Sequence, residues 1–136
     1  MATPDLISQS LQARQRAYAP YSHFLVGAVL LTDKGVFSGC NVENASYGLG
    51  ICAERSAVVT AVTAGAREIR EVVVSSGPGV SPCGICRQVL REFAKEDCVI
   101  TCVNQSGGVV LQTTMGDLLP ASFTLTSSKS LLSPST

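Results

Sequence analysis

Between Pro4 and Tyr18 the apolar residues Leu6, Ile7, Leu11, Ala13 and Ala17 recur at helical spacing, with Thr3 as a cap and Pro4 at the first helical position. The pattern predicts an amphipathic helix, ended by Ala19-Pro20-Tyr21-Ser22 because a residue before proline is disfavoured in helical backbone. Phe24 to Thr32 then runs apolar and β-favouring, Asp33-Lys34-Gly35 is a turn signal, and Val36 to Cys40 is a second run, which together predict a hairpin. After a polar loop, Asn41 to Gly50, the residues Ala57, Val58, Ala61, Val62 and Ala64 mark a buried helix over 52–64 that stops at Gly65. Three consecutive valines within Glu71 to Ser76 predict a strand covered on both faces, closed by Gly77-Pro78-Gly79. Ile85, Val89, Leu90 and Phe93 predict a helix over 84–94. Cys98 to Val103 and Val109 to Gln112 follow as strands around Gly107-Gly108, and Met115 to Leu119 as helical turns before Pro120.

Strands alternating with helices in mid-chain make this an α/β sandwich with a mixed sheet, the first hairpin supplying its antiparallel part. At 136 residues the chain has room for one core, so residues 1–123 are expected to form a single domain. Residues 124–136, rich in Ser and Thr with little to bury, are expected to be a mobile tail.

Composition narrows the partners. Apolar residues make up 46% and charged residues 15%, which excludes a disordered chain and suggests that other copies of the chain cover some apolar surface. Ten Lys and Arg balance ten Asp and Glu, so there is no basic field for nucleic acid, and a small-molecule partner fits better. No apolar run approaches the roughly 20 residues of a membrane span, and Met1 to Leu11 lacks the layout of a signal peptide. A cytoplasmic location is expected, and there six cysteines call for metal binding, redox catalysis or burial before disulfides.

Two motifs carry the chemistry: Cys52-Ala53-Glu54 and Pro82-Cys83-Gly84-Ile85-Cys86, each at a predicted helix start. Free N–H groups and the positive end of the helix dipole stabilise thiolate there. Three cysteines with one position left open form the ligand set of a catalytic zinc, which lowers the pKa of a bound water from 15.7 towards roughly 7. Three thiolates overcompensate the zinc charge, and Arg55 and Arg87, each next to a motif residue, are the candidates to temper it. His23, the chain's only histidine, is a poor ligand candidate because it lies far from both motifs.

Other readings stay open on the motifs alone. Cys83-x-x-Cys86 before a helix also describes a thiol–disulfide oxidoreductase, although a redox pair needs neither Cys52 nor Glu54. A structural zinc would want a fourth ligand from Cys40, Cys98 or Cys102. Cys98 and Cys102, four apart in a strand, are expected to be core thiols. Arg55 and Arg87 also fit solvated helix positions, and Phe24, Tyr47 and Phe123 fit ordinary packing or surface aromatics.

Cys52-Ala53-Glu54 with Pro82-Cys83-x-x-Cys86 resembles the zinc nucleoside-deaminase signature in its three-cysteine form. The resemblance runs from about Ala17 to Phe123. It includes Tyr21-Ser22-x-Phe24-x-Val26-Gly27-Ala28, Gly39-Cys40-Asn41-Val42-Glu43-Asn44-Ala45 and Ser81-Pro82-Cys83-Gly84-x-Cys86-Arg87-Gln88. It is a likeness to the small, homotetrameric type of cytidine deaminase, and it implies a three-layer α/β/α sandwich around a five-stranded mixed sheet. It further implies one zinc per subunit on Cys52, Cys83 and Cys86, and Glu54 as acid and base. Asn41 and Glu43 then hold a ribose hydroxyl, Phe24 lines the nucleoside pocket, and backbone groups of Ala53 and Cys83 fix the base edge. Tyr47 and Phe123 reach into a neighbouring subunit's site. The implied reaction is hydrolytic deamination of cytidine or 2′-deoxycytidine in pyrimidine salvage. The nearest rival is another cytosine nucleoside such as blasticidin S, disfavoured by Glu43.

Overall fold

A computed structural model describes residues 4–125 of the chain, and the Ser/Thr-rich segment from 126 onward lies outside the described residues. The strands β1 (Val26–Thr32), β2 (Gly35–Cys40), β3 (Ile69–Ser76), β4 (Ala94–Val103) and β5 (Val109–Thr114) form one sheet in the order β2-β1-β3-β4-β5. β3 and β4 run parallel and the other neighbours antiparallel. The helices are α1 (Pro4–Arg14), α2 (Ala53–Thr63), α3 (Gly84–Phe93) and the short α4 (Met115–Leu118). The expected hairpin is β1–β2, and α3 is the crossover between the parallel pair.

Alternation along the strands sorts the core into two layers, because successive side chains point to opposite faces. Val29, Val73 and Val103 meet Leu6 of α1 on one face. Ala28, Leu30, Val72, Val74, Ile100 and Cys102 pack with Ala53, Ala57 and Leu90 of α2 and α3 on the other. This is the three-layer α/β/α sandwich, and it explains the valine run of β3, which has helices on both sides. Cys98 and Cys102 are both buried, as their spacing predicts.

Two glycines let helices sit directly on the sheet. A Cβ at Gly27 would lie 2.1 Å from the Ser10 carbonyl oxygen of α1, and one at Gly39 would lie 2.4 Å from the Ala57 backbone nitrogen of α2. Both distances are far inside van der Waals contact, so backbone meets backbone at both crossings.

Most boundaries fall within two residues of expectation, β1 beginning at Val26, β3 at Ile69 and β5 ending at Thr114, and two are displaced further. α1 ends at Arg14, because Gln15, Arg16 and Ala17 donate to carbonyls three residues back and the chain then leaves the helix so that Tyr18 can bridge to Val42. β4 begins at Ala94, four residues before Cys98. Lys95, Glu96 and Asp97 are all exposed, so that stretch carries no alternation to reveal a strand.

The start of β1 and the ends of β2 and β3 lie at one edge of the sheet, with Val26 opposite Ser76 and Gly27 opposite Cys40. α2 and α3 both begin at this edge, after the segments 41–52 and 77–83. The edge lies outside the carboxyl end of β3, where open α/β sheets hold ligands.

Candidate functional site

Cys52 and Cys83 are the residues immediately before α2 and α3, each with extended backbone (φ −75°, ψ 157° and φ −68°, ψ 169°). Neither side chain caps its helix, so both sulfurs are left for another partner. Cys86, one turn into α3, is fully buried behind them. Sγ of Cys52 lies 3.9 Å from Sγ of Cys83, which lies 3.4 Å from Sγ of Cys86, and all three sulfurs fall within 4.8 Å of one another. Tetrahedral zinc with Zn–S bonds of about 2.3 Å separates its sulfurs by about 3.8 Å, so the donor set fits that ion. Among the described residues no fourth His, Cys, Asp or Glu joins this group. Cys98 and Cys102 are in the core, and Cys40 is half-buried at the end of β2.

The electrostatics favour thiolate at Cys52. Cys52 is pulled down to about 5, chiefly by hydrogen bonding from the Cys86 thiol and then by Arg55 and Cys83, against the opposing effect of burial. Cys86 moves the opposite way because it supplies the proton that Cys52 accepts and because it is buried. Arg55 is 3.7 Å from the Cys52 sulfur through Nη2, which also donates to the Gly50 carbonyl at 3.2 Å.

Arg87 is placed differently. Its guanidinium donates to the carbonyls of Pro82 (2.7 Å) and Leu118 (2.9 Å) and to the Ser81 hydroxyl (3.0 Å). The two arginines flanking the motifs therefore divide: Arg55 touches a sulfur, whereas Arg87 fixes the turn that presents Cys83. The reason is direction, since every hydrogen bond recorded for Arg87 runs to that turn or to the end of α4. Gln88 and Arg91 continue the same face of α3, donating to the Phe123 carbonyl (2.8 Å) and the Ser122 hydroxyl (3.1 Å).

Glu54 is buried in the first turn of α2 and lines a cavity of about 180 Å³ together with Phe24, Ala53, Cys52, Cys83 and Ser81. Burial raises its carboxyl to about 7, with the Cys52 charge raising it further and its own backbone N–H and Arg55 opposing. Next to this cavity, and sharing Asn41 and Cys52 with it, is a second of about 310 Å³ lined by Tyr21, Ser22, Glu43 and Ile51 among others. The two adjoin through Asn41 and Cys52 as one cleft, whose inner end is lined by Glu54, Cys52 and Cys83.

The polar groups at the outer end are tied into the fold. Asn41 Nδ2 donates to the Phe24 carbonyl (2.7 Å), while its Oδ1 accepts the Val26 N–H (2.9 Å). Glu43 accepts the N–H groups of Tyr21 and Ser22, both at 3.1 Å, and the Ser22 hydroxyl. These bonds hold Glu43 below the usual carboxylate range, with the Ser22 hydroxyl first among the causes. Ser22 is a cleft-lining contact of Glu43 that periodicity does not reveal; its nearest sequence signal is its place in the Tyr21-Ser22-x-Phe24 segment. His23 is exposed and stands apart from the sulfurs. Tyr47 falls in a short 3₁₀ turn, Tyr47–Leu49, and Phe123 is 70% exposed beyond α4.

A family model described as the cytidine and deoxycytidylate deaminase zinc-binding region matches residues 3–102. The chain belongs to this family. Among its members, a cytidine deaminase from Sporosarcina psychrophila is 43% identical over 127 residues, covering 90% of this chain and 92% of its own. A crystal structure of cytidine deaminase from Burkholderia pseudomallei superposes with a TM-score of 0.84 at 47% identity, covering 90% of this chain and 100% of that one. A blasticidin-S deaminase from Bacillus cereus is more distant, 29% identical over 131 residues, with 88% of this chain and 91% of its own covered. Family membership brings one zinc as the cofactor, and the three-sulfur cluster is the donor set that fits it.

Proposed function

We propose that the chain hydrolyses the 4-amino group of cytidine or 2′-deoxycytidine, giving the uridine product and ammonia. The observation that carries the reading is the convergence of three cysteine sulfurs and one buried carboxyl, Glu54, on a single cleft. Zinc held by Cys52, Cys83 and Cys86 supplies Lewis-acid activation of a water at neutral pH. The chain's own residues do the rest. Glu54, whose carboxyl burial raises to about 7, takes one proton from the water and gives it to N3 of the ring as the water oxygen adds to C4, then passes the second water proton to the departing amine and ends as it began. One group therefore serves as acid and base, a role suited to a carboxyl whose pKa is near the working pH. Phe24 lines the wall beside the base, with the backbone of Ala53 and Cys83 at its polar edge. Arg55 offsets thiolate charge, and Arg87 holds the Ser81–Cys83 turn.

Glu43 and Asn41 suit a sugar hydroxyl, which both donates and accepts. After their bonds to the fold, Asn41 retains an N–H and Glu43 an acceptor site. A site built to bond a hydroxyl discriminates strongly against analogues lacking it, which counts against blasticidin S. The residues lining the cleft include no Lys, Arg or His to hold a phosphate, so a nucleoside is preferred to a nucleotide. A homotetramer in the cytoplasm, with Tyr47 and Phe123 completing a neighbour's site, completes the reading as a pyrimidine-salvage enzyme. Among the described residues no helix is long and apolar enough to cross a membrane.

The test is the ultraviolet absorbance of cytidine incubated with zinc-loaded protein. Loss of the cytosine band with ammonia release is expected, and deoxycytidylate should react far more slowly. An unchanged spectrum with folded, zinc-loaded protein overturns cytidine as the substrate.

A further inference from the structure

The Ser22 hydroxyl is the junction of the outer cleft. It donates to Glu43 Oε2 and accepts the Phe24 N–H at 3.1 Å. His23, between them, has a φ of 59°, a left-handed turn that brings the Phe24 N–H back onto the Ser22 side chain. The other carboxylate oxygen, Oε1, accepts the N–H groups of Tyr21 and Ser22. An ionised carboxylate offers about four acceptor sites. Two on Oε1 are occupied by backbone and one on Oε2 by Ser22, so a single site on Oε2 remains. Glu43 lines the cavity together with Ser22 and Asn41.

We propose that Ser22 is the positioning residue that sets sugar specificity, by fixing the Glu43 carboxylate so that one acceptor site faces the cleft for one sugar hydroxyl. The inference rests on the nucleoside-deaminase reading and deepens it. Tyr21 and Ser22 hold Oε1 through backbone alone, which leaves the carboxylate free to pivot about that oxygen. The Ser22 hydroxyl is the recorded contact that stops the pivot. Without it Oε2 has two unfilled sites and no fixed direction, so binding a hydroxyl there costs the ordering that the wild-type fold supplies in advance. Ser22 is distant from the proton transfers at Glu54 in role, so its loss should fall on substrate binding and spare the chemical step.

The experiment compares cytidine with 2′,3′-dideoxycytidine, which lacks both ring hydroxyls, on zinc-loaded wild-type protein, Ser22→Ala and Ser22→Thr. Ser22→Ala is expected to raise KM for cytidine about tenfold, the scale of one hydrogen bond to a charged group, with kcat little changed. The dideoxynucleoside should be unaffected, so the preference for cytidine narrows by about the same factor. Ser22→Thr, which keeps the hydroxyl, should restore the preference. In a Glu43→Gln background Ser22→Ala should narrow it no further, because the two residues act through one contact. Should Ser22→Ala prove too unstable to assay, Ser22→Cys, close in volume with a far weaker donor, reports the same ratio.

A wild-type preference that survives loss of the hydroxyl overturns the proposal, as does an equal loss on both nucleosides, which marks a merely structural role. Wild-type protein that deaminates the two nucleosides alike removes the sugar from Glu43 and overturns the proposal with deamination intact, whereas zinc-loaded protein that deaminates neither overturns the underlying reading.

Discussion

Glu54 has a carboxyl at about 7 because burial removes the water that would otherwise favour its charge. A group so poised is worth about 10²–10⁴-fold as an acid–base catalyst. Glu54→Ala should therefore lower kcat by at least about 10²-fold while leaving zinc content unchanged, checked by metal analysis beside the cytidine assay. Near-normal turnover in a zinc-replete variant would remove Glu54 from the mechanism. The core thiols show burial as the leading cause. Cys98 is pushed up to about 12 and Cys102 to about 11 by burial first, with neighbouring carboxylates adding to it, from an ordinary value of 9.0. Below pH 9 both states hold these protons and nothing is lost. As pH rises from 9 towards 12 the unfolded chain ionises and the folded one does not, so stability drains away over that window, by a few kcal/mol for the pair on an order-of-magnitude basis. Urea midpoints should fall steeply above pH 9 in the wild type and less so in a Cys98→Ala, Cys102→Ala double variant. At this scale the sulfurs and Glu54 were legible because their chemistry is in the residue type and spacing. The division between Arg55 and Arg87 was not, since adjacency in sequence leaves the direction of a long side chain open.

At the scale of elements, the site depends on where α2 and α3 begin, and that depends on how closely α2 approaches the sheet. Gly39 permits the approach on β2, and its substitution by Ala would drive a methyl into the α2 backbone at Ala57. Overpacking of this kind costs about 1–3 kcal/mol. Gly27→Ala forces the same collision with α1, which carries none of the sulfurs. Both variants should melt lower by calorimetry, but only Gly39→Ala should also bind zinc more weakly, because α2 must carry Cys52 away from α3. Equal zinc affinity in the two variants would show that the metal corner is insulated from helix placement. Periodicity made these elements legible, down to the valines of β3 with a helix on each face. It missed the first residues of β4, where Lys95, Glu96 and Asp97 are all exposed, and the early end of α1, which a bridge from Tyr18 to a distant loop decides. The bonds that commit Asn41 and Glu43 to the Tyr21–Val26 segment were also beyond the sequence, because they join residues that only the closed hairpin brings together.

For the molecule as a whole, the described chain leaves several large apolar side chains in water, among them Leu49, Ile85 and Phe123, each more than 60% exposed. Monomers rarely leave such surfaces in water, and the backbone at Ser122–Phe123 is tied to the helix that carries Cys86, Gln88 donating to the Phe123 carbonyl and Arg91 to the Ser122 hydroxyl. If Phe123 serves a neighbour's cleft, the residues of one working site are divided between two chains, and two differently damaged subunits can repair each other. Phe123→Ala should bind cytidine weakly with zinc in place, and Glu54→Ala should be nearly inactive with Phe123 intact. Co-expressed, the two variants should form mixed oligomers in which some clefts pair an intact Glu54 with an intact Phe123 from the adjoining chain. Activity above that of either variant alone is the expected outcome, read in the cytidine assay on the mixed species after separation by two affinity tags. Mixed oligomers no more active than the average of their parents would confine the whole site to one chain and leave Phe123 as a surface residue.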